Sequence, residues 1–356
     1  MAGALGLQAS GLMKLQEALA GSGNPSVIWL QGQSCTGCSI SFLNSIYYAS
    51  VDTILLDKIN LEYHPNVMAA AGDFAISAAQ VARPSNGELM EVSNQWMQKT
   101  NISMDLNGDG IVNFVDYALL ARRGYILIVE GAIPTGAAGQ YCEIGGGMTM
   151  LNALGLFSKY AGQIIAIGCA CYGGIPASGS NPTNAMGVSD ALKYLNISKN
   201  VINIPGCPIH PDWLVGTIVN LLTGTAVPLD SLSRPTAYYG TLVHTACPNL
   251  GAFNSSYSGR LGHAGNKSCL ACHSRGDTDV ANPRTLGLTG CLFALGCKGR
   301  QTHCDCPTRK WNSPAAGQTG VNWCVQAGSP CIGCTEPSFP DSMTPFYTLN
   351  GGGADD

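Results

Sequence analysis

Sixteen cysteines in a chain of 356 residues, bunched into short-spaced groups, constrain this sequence more than any other feature. They are too sparse for a disulfide-stapled mini-domain, and their pairing in turns suits metal better than cross-links. At about 150 residues per domain the length predicts two domains, enough chain to bury a real core. Only 11% of the residues are Asp, Glu, Lys or Arg, against roughly 25% in an average soluble protein. So little charge suits a surface that a partner covers. The net charge of -4, with 18 basic residues scattered along the chain, leaves no electrostatic footprint for nucleic acid. No apolar run reaches the roughly 18 residues of a membrane span. No internal repeat, carboxylate pair, Ser/His/Asp arrangement or phosphate loop is evident, which fits a chain without acid-base chemistry of its own.

Up to about residue 225 the sequence alternates strand-like runs with helical stretches, the pattern of a parallel α/β sheet. The runs Val27 to Leu30, Tyr125 to Val129, Ile164 to Ile167 and Val201 to Ile204 are short, β-branched and followed by Gly- or Cys-bearing turns. Ligands in such sheets sit beyond the carboxyl ends of the strands. Cys35 and Cys38 follow the first run, Cys169 the third and Cys207 the fourth, so four thiols distant in sequence are expected at one sheet edge. From about 226 apolar periodicity fades and ten cysteines crowd into residues 242–334, with His244 leading. A region this poor in Leu, Ile and Val cannot offset its chain entropy by apolar burial alone, and metal clusters are the expected substitute core.

Thiolates select zinc or iron-sulfur clusters. For a single Cys-X-X-Cys pair zinc is at least as good a reading. The spacing Cys291-X5-Cys297-X8-Cys306, closed by Cys331-X2-Cys334, matches no four-cysteine zinc finger, whereas iron-sulfur clusters commonly draw on scattered cysteines. Five longer motifs then carry a resemblance. They are Trp29-Leu-Gln-Gly-Gln-Ser-Cys35-Thr-Gly-Cys38, Val129-Glu-Gly-Ala-Ile-Pro134, Gly206-Cys207-Pro-Ile-His-Pro-Asp212-Trp213, Gly290-Cys291-Leu-Phe-Ala-Leu-Gly-Cys297-Lys-Gly and Cys331-Ile-Gly-Cys334-Thr-Glu-Pro. Together, over residues 26–347 and apart from two insertions, the chain resembles the electron-transferring small subunit of nickel-iron hydrogenases.

The resemblance implies an α/β fold, with a flavodoxin-like parallel-sheet N-terminal domain (26–225) and an irregular, cluster-stabilised C-terminal domain (226–356). It implies three clusters in a row that wire a nickel-iron centre in a large subunit to the surface. The proximal cluster would take Cys35, Cys38, Cys169 and Cys207, and the distal one His244, Cys247, Cys291 and Cys297. The medial one would take Cys306, Cys331 and Cys334, plus position 324. Many family members have Pro at that position and hold a three-iron cluster; Cys324 here implies three [4Fe-4S] clusters. Cys324, with Gly320-Val-Asn-Trp-Cys-Val-Gln326 and the tail Phe339-Pro-Asp-Ser-Met-Thr-Pro-Phe-Tyr347, is most similar to the nickel-iron-selenium branch. Oxygen-tolerant relatives carry two extra cysteines at positions where this chain has Gly37 and Gly174, so an ordinary proximal cluster is implied. A lone loop histidine such as His244 is usually structural, but its place before the X5 pair is that of the family's one nitrogen ligand, which should raise that cluster's potential. His64 and His210 read as structural or interfacial, and Glu130 as an interface residue.

Eleven cysteines are absorbed this way. Cys142, Cys171 and Cys304 read as buried apolar thiols. Cys269 and Cys272, in the insertion 262–290, form Cys-X-X-Cys-His with His273, the attachment motif of a c-type haem; a thiol pair or stray metal site is the plainer reading. His263 or His303 could be the opposite axial ligand. The insertion 84–123 places Asp105, Asn107, Asp109, Asn113 and Asp116 at loop positions 1, 3, 5, 9 and 12, with the Ile111 carbonyl at 7 and Gly110 at the sharp turn. That is the pattern of a Ca2+ loop and resembles a single dockerin-type repeat. Dockerins use two repeats, so a structural calcium staple is expected over docking, a calcium-free Asx-rich turn being the remaining reading.

Residues 1–20 are apolar and small and end in Glu17-Ala-Leu-Ala20 without a basic region ahead, which reads as the remnant of a twin-arginine leader or as a cytoplasmic amphipathic helix. Haem attachment and calcium both point to the periplasm. The expected function is relay of electrons between hydrogen and a c-type cytochrome or similar acceptor. The rival expectations are a cytoplasmic hydrogenase subunit serving another acceptor and a calcium- and zinc-stabilised scaffold module.

Overall fold

Apolar runs buried on both faces build the sheet that organises the first half of the chain. The computed structural model describes residues 24–67, 125–145, 147–253 and 291–346. The chain divides into two compact units, Met1–Pro235 and Thr236–Asp356. The first contains a five-stranded sheet of β1 (Ser26–Gln31), β2 (Asn60–Tyr63), β3 (Tyr125–Glu130), β4 (Ala161–Ile167) and β5 (Ile202–Ile204). Its order is β2-β1-β3-β4-β5 and every pairing is parallel. This is the flavodoxin-like arrangement, with its topological switch point between β1 and β3.

Every residue of β3 is buried, and β1 is buried except at its ends. Such strands need no alternation because helices cover both faces. On one face Ile28, Leu30, Leu127, Val129 and Ile164 pack in one core with Leu154 and Phe157 of α2 (Met150–Ser158) and Leu192 of α3 (Val188–Tyr194). On the other, Trp29 meets Phe42 of α1 (Gly37–Leu43) at a ring-centroid distance of 5.5 Å. Helix α1 packs in turn against α4 (Pro211–Leu222). The helix starts are specified locally. Thr149 Oγ1 accepts from Asn152 N at α2, and at α4 the His210 ring accepts from Asp212 N while Pro211 fills the first turn.

Composition changes near residue 226, but the backbone stays with the first unit through Pro235. Asn203 N donates to Ser233 O (2.8 Å), Asn203 Nδ2 to Leu232 O (2.9 Å) and the Tyr172 hydroxyl to Leu232 O (3.2 Å). Polar bonds, invisible to hydrophobic periodicity, tie this segment to the sheet.

In the second unit the described residues form no helix longer than four residues and pair only in isolated bridges, Leu242 with His303 and Trp311 with Asn322. Individual polar contacts hold its loops. Arg309 Nε donates to Asp305 Oδ2 at 2.8 Å, and its guanidinium lies 5.1 Å above the Tyr238 ring. A fold made of loops around thiols fits stabilisation by bound metal more than by an apolar core.

Candidate metal centres

At the carboxyl end of β1 the chain turns through Cys35 and Thr36, which has a left-handed φ of 65°, into α1, whose second residue is Cys38. The carboxylate of Glu130, the last residue of β3, holds this turn. Its Oε1 accepts from Ser34 Oγ (3.0 Å), Cys38 N (3.1 Å) and Ser39 N (3.3 Å). Its Oε2 accepts from Gln31 Nε2 (3.0 Å), Trp29 Nε1 (3.1 Å) and the Ser39 hydroxyl. Six donors face it, a full hydrogen-bond shell for one carboxylate. Glu130 is 1% exposed. It is therefore an internal clamp of the cysteine turn, and the interface reading of this residue is corrected. The Ser39 hydroxyl also meets His64 Nε2 at 3.2 Å; burial, partly opposed by Glu130, lowers the His64 pKa to about 4.

The turns after β4 and β5 meet this one. At Gly168, with φ +56°, a Cβ would lie 2.6 Å from Cys38 Sγ and 3.4 Å from Gly206 O, so only a glycine lets the first, third and fourth turns close together. A Cβ at Gly37 would lie 3.1 Å from Cys35 Sγ and 3.7 Å from Pro208 Cβ, beside Cys207. The structure thus gathers Cys35, Cys38, Cys169 and Cys207. Burial pushes the Cys38 thiol well above its ordinary range, with the charges of Glu130, Cys169 and Cys35 adding to the effect. Burial first, then Cys169 and Cys35, pushes Cys207 up to about 11, and burial with Cys35 and Glu130 raises Cys169. The charges of neighbouring thiols thus raise Cys38, Cys169 and Cys207, and thiolates so crowded call for a cationic centre, which fits an iron-sulfur cluster.

Gly174 has φ +52°, and a Cβ there would lie 2.7 Å from Cys169 Sγ. Gly174→Ala should displace that sulfur and lower the iron content of the purified chain, while Gly179→Ala, at φ +63° with open space around it, should leave iron unchanged. Equal iron in both variants would contradict this.

In the second unit His244, Cys247, Cys291 and Cys297 line one pocket, together with Phe293 and Arg300. Val243–Ala246 forms a single helical turn that presents His244, whose N–H donates to Gly299 O at 2.9 Å and whose ring stands edge-on to Phe253 at 4.5 Å. Burial, with the nearby Arg300 charge, lowers the His244 pKa, and a neutral imidazole is the ligating form. Cys247 is raised by burial and by Cys297.

Cys306 opens the turn Cys306–Arg309 and is buried, as is Cys331. Burial pushes the Cys331 thiol well up, reinforced by Cys297 and Cys334. Cys324 is exposed as a residue, yet its thiol is pushed up to about 11 by desolvation and then by Cys306. The Cys331 N–H donates to Cys297 Sγ at 3.4 Å, joining the two cysteine groups of this unit. Among the described residues no three Cys, His, Asp or Glu side chains close on a single metal ion.

Three remaining thiols differ from one another. Cys142 is half-buried, and Cys171 is buried and donates to Ala166 O at 3.2 Å. Cys304 is 3% exposed and bonds to the Cys306 side chain. That bond pulls the Cys304 pKa down, but burial and the charges of Cys331 and Cys334 outweigh it and the net shift is upward. The calcium-loop residues Asp105 to Asp116, the haem-motif residues Cys269, Cys272 and His273, and residues 1–20 lie outside the described residues.

Comparison with known proteins converges on one assignment. Residues 35–221 match the family described as NADH ubiquinone oxidoreductase, 20 Kd subunit, and residues 239–347 match the C-terminal family of the NiFe/NiFeSe hydrogenase small subunit. The chain is 35% identical over 344 residues to the periplasmic [NiFeSe] hydrogenase small subunit of Desulfomicrobium baculatum, covering 92% of this chain and 88% of that one. The chain belongs to the NiFe/NiFeSe hydrogenase small-subunit family. Within this family it is also 36% identical to the periplasmic [NiFe] hydrogenase small subunit 1 of Nitratidesulfovibrio vulgaris, over 94% of this chain and 85% of that one. The crystal structure of the reduced, active Ni-Fe-Se hydrogenase from Desulfomicrobium baculatum matches this small subunit with a TM-score of 0.67 and 34% identity, over 92% of this chain and all of that one. The expected hydrogenase reading and α/β fold are thereby established.

Proposed function

We propose that this small subunit passes electrons between a hydrogen-activating nickel-iron centre in a large subunit and a c-type cytochrome or similar acceptor, for H2 ⇌ 2H+ + 2e-. The observation that carries the reading is the meeting of Cys35, Cys38, Cys169 and Cys207 at the carboxyl edge of the flavodoxin-like sheet. These four would hold the proximal cluster. Cys306, Cys324, Cys331 and Cys334 would hold the medial one, and His244, Cys247, Cys291 and Cys297 the distal one, each as [4Fe-4S]. Bound iron-sulfur clusters supply reversible one-electron storage. The chain's own part is to fix the sulfurs, exclude water from most of them and leave both ends of the relay within reach of partners. Cys35 is exposed, and beside it Ile40, Leu43 and Ile46, on or just after α1, are at least 42% exposed, an apolar face suited to the large subunit. Family membership leaves the zinc-scaffold alternative without support.

Export to the periplasm through the twin-arginine route completes the proposal. The periplasmic naming of the Desulfomicrobium and Nitratidesulfovibrio relatives supports the compartment, and among the described residues no helix is long and apolar enough to cross a membrane. In the periplasm Cys269 and Cys272 would attach a c-type haem ligated by His273, and Asp105, Asn107, Asp109, Ile111, Asn113 and Asp116 would hold Ca2+ as a staple.

Anaerobically purified protein should contain about twelve irons per chain in clusters and show no three-iron signal by electron paramagnetic resonance after oxidation. A three-iron signal of one spin per chain would refute the fourth medial ligand. A pyridine haemochrome spectrum after denaturation and solvent extraction should show a c-type α band; its absence would remove the haem and leave the distal cluster as the electron exit.

A further inference from the structure

Trp323 carries a hydrogen-bond donor that the protein buries and does not satisfy. The residue is 4% exposed, and its Nε1 is the one buried side-chain donor without an acceptor among the described residues. A buried indole N–H ordinarily finds a partner, as that of Trp29 does in Glu130 Oε2 at 3.1 Å. Trp323 lines the pocket of His244, Cys247, Cys291 and Cys297. Its segment is fixed on both sides by backbone bonds: Trp311 N donates to Asn322 O at 2.6 Å, and Ala327 N donates to Trp323 O at 2.8 Å. The main chain thus holds the indole in its buried position. Apart from the four proposed ligands, Asn249 is the only acceptor side chain among the described residues lining this pocket, and it does not bond the indole.

A fixed, buried donor at the wall of a pocket ringed by thiols matches the chemistry of a cluster, whose sulfurs accept hydrogen bonds. We propose that Trp323 donates its indole N–H to a sulfur of the distal cluster and thereby raises that cluster's reduction potential. The inference rests on the distal ligand set proposed above and adds a fifth residue to that site. A hydrogen bond to a cluster sulfur withdraws negative charge, and the reduced cluster, which carries more of that charge, gains most from it. The neutral imidazole of His244 acts in the same direction. Two features of one pocket then favour the collection of electrons at the cluster that hands them on.

The test is a redox titration of the medial and distal clusters, followed by electron paramagnetic resonance, in the purified complex with its large subunit. Trp323→Phe, which keeps an apolar ring and loses the N–H, should retain full iron and shift the distal midpoint to more negative potential, by more than any shift of the medial one. An unchanged or more positive distal midpoint would overturn the inference, as would an equal or larger shift at the medial cluster. Should the variant lose iron, the wild-type complex labelled with 15N in its indole rings decides the matter. Pulsed electron paramagnetic resonance should then show a 15N coupling in the distal signal; its absence, as for an indole bonded only to water, would overturn the inference. Cys297→Ala separates this from the ligand set beneath it and should lose the distal signal. If that signal survived, the ligand set itself would fall, whereas an unshifted Trp323→Phe beside a normal loss in Cys297→Ala would refute the role of the tryptophan alone.

Discussion

Cys207→Ala should abolish hydrogen-driven dye reduction by the assembled enzyme and remove the proximal cluster from its iron count. The loss should exceed the roughly 10- to 100-fold that removal of an outer hydrogen-bonding partner costs at a metal site, because a direct donor is gone. Cys207 is the one thiol that the turn after β5 contributes to the proximal set. Its neighbours Cys169 and Cys35 are close enough for their charges to raise its pKa, so the sulfur stands inside the group. Without it three thiolates face an iron with an open position, and electrons lose the first stepping point out of the large subunit. Cys142→Ala, at a half-buried thiol in the apolar packing around α2, should keep full activity and iron. Full iron and wild-type dye reduction in Cys207→Ala would refute the proximal assignment.

Glu130→Ala should be nearly as damaging, by a different route. Of the six donors it would strand, Gln31 Nε2 retains Asn66 Oδ1 at 2.6 Å, the Ser39 hydroxyl retains His64, and the hydroxyl of half-buried Ser34 can turn to water. Trp29 Nε1, Cys38 N and Ser39 N would be left buried without the acceptor they have now. At about 1–3 kcal/mol for each unsatisfied buried donor, and allowing for water entering the space, the expected cost is about 3–5 kcal/mol. Against a typical total stability of about 5–15 kcal/mol this is a large fraction. Because two of those donors are backbone amides at the start of α1, the Cys35–Cys38 turn should loosen first and iron should be lost before the sheet unfolds. Iron content measured along a thermal ramp reads this order; coincident loss of iron and secondary structure at the wild-type temperature would contradict it.

How much of this is legible in the residues differs from place to place. Strands β1 and β3 announce themselves because both faces are buried and the runs are almost wholly apolar, β4 does so over Ile164 to Ile167, and β5 through the β-branched residues around Asn203. Strand β2 does not. Asn60–Tyr63 is four residues long at the sheet edge and only Tyr63 is buried, so neither length nor alternation marks it. The proximal cysteines can be placed together from strand order and the carboxyl-edge rule alone. The sets in the second unit can be sorted only through family resemblance, since loops without periodicity give no rule for which thiols meet. The surroundings of Glu130 and Cys304 escape a reading of the residues for one reason. The partners of Glu130 in β1 and around the Cys35–Cys38 turn lie 91 to 101 residues away in sequence, and the surroundings of Cys304 depend on Cys331 and Cys334 arriving beside it. Local pattern carries no trace of either meeting.

The bond from Cys331 N–H to Cys297 Sγ has a consequence for speed. In the proposed relay these residues serve neighbouring clusters, and one amide hydrogen spans the gap between their donor sets. Electron tunnelling falls off exponentially with separation, so a relay whose sites drifted apart by thermal breathing would have a fluctuating slowest hop. A sulfur and a peptide locked to each other at 3.4 Å make the spacing a fixed dimension of the backbone. The hop between those two clusters would then respond to driving force and hardly at all to the motion of the surrounding loops.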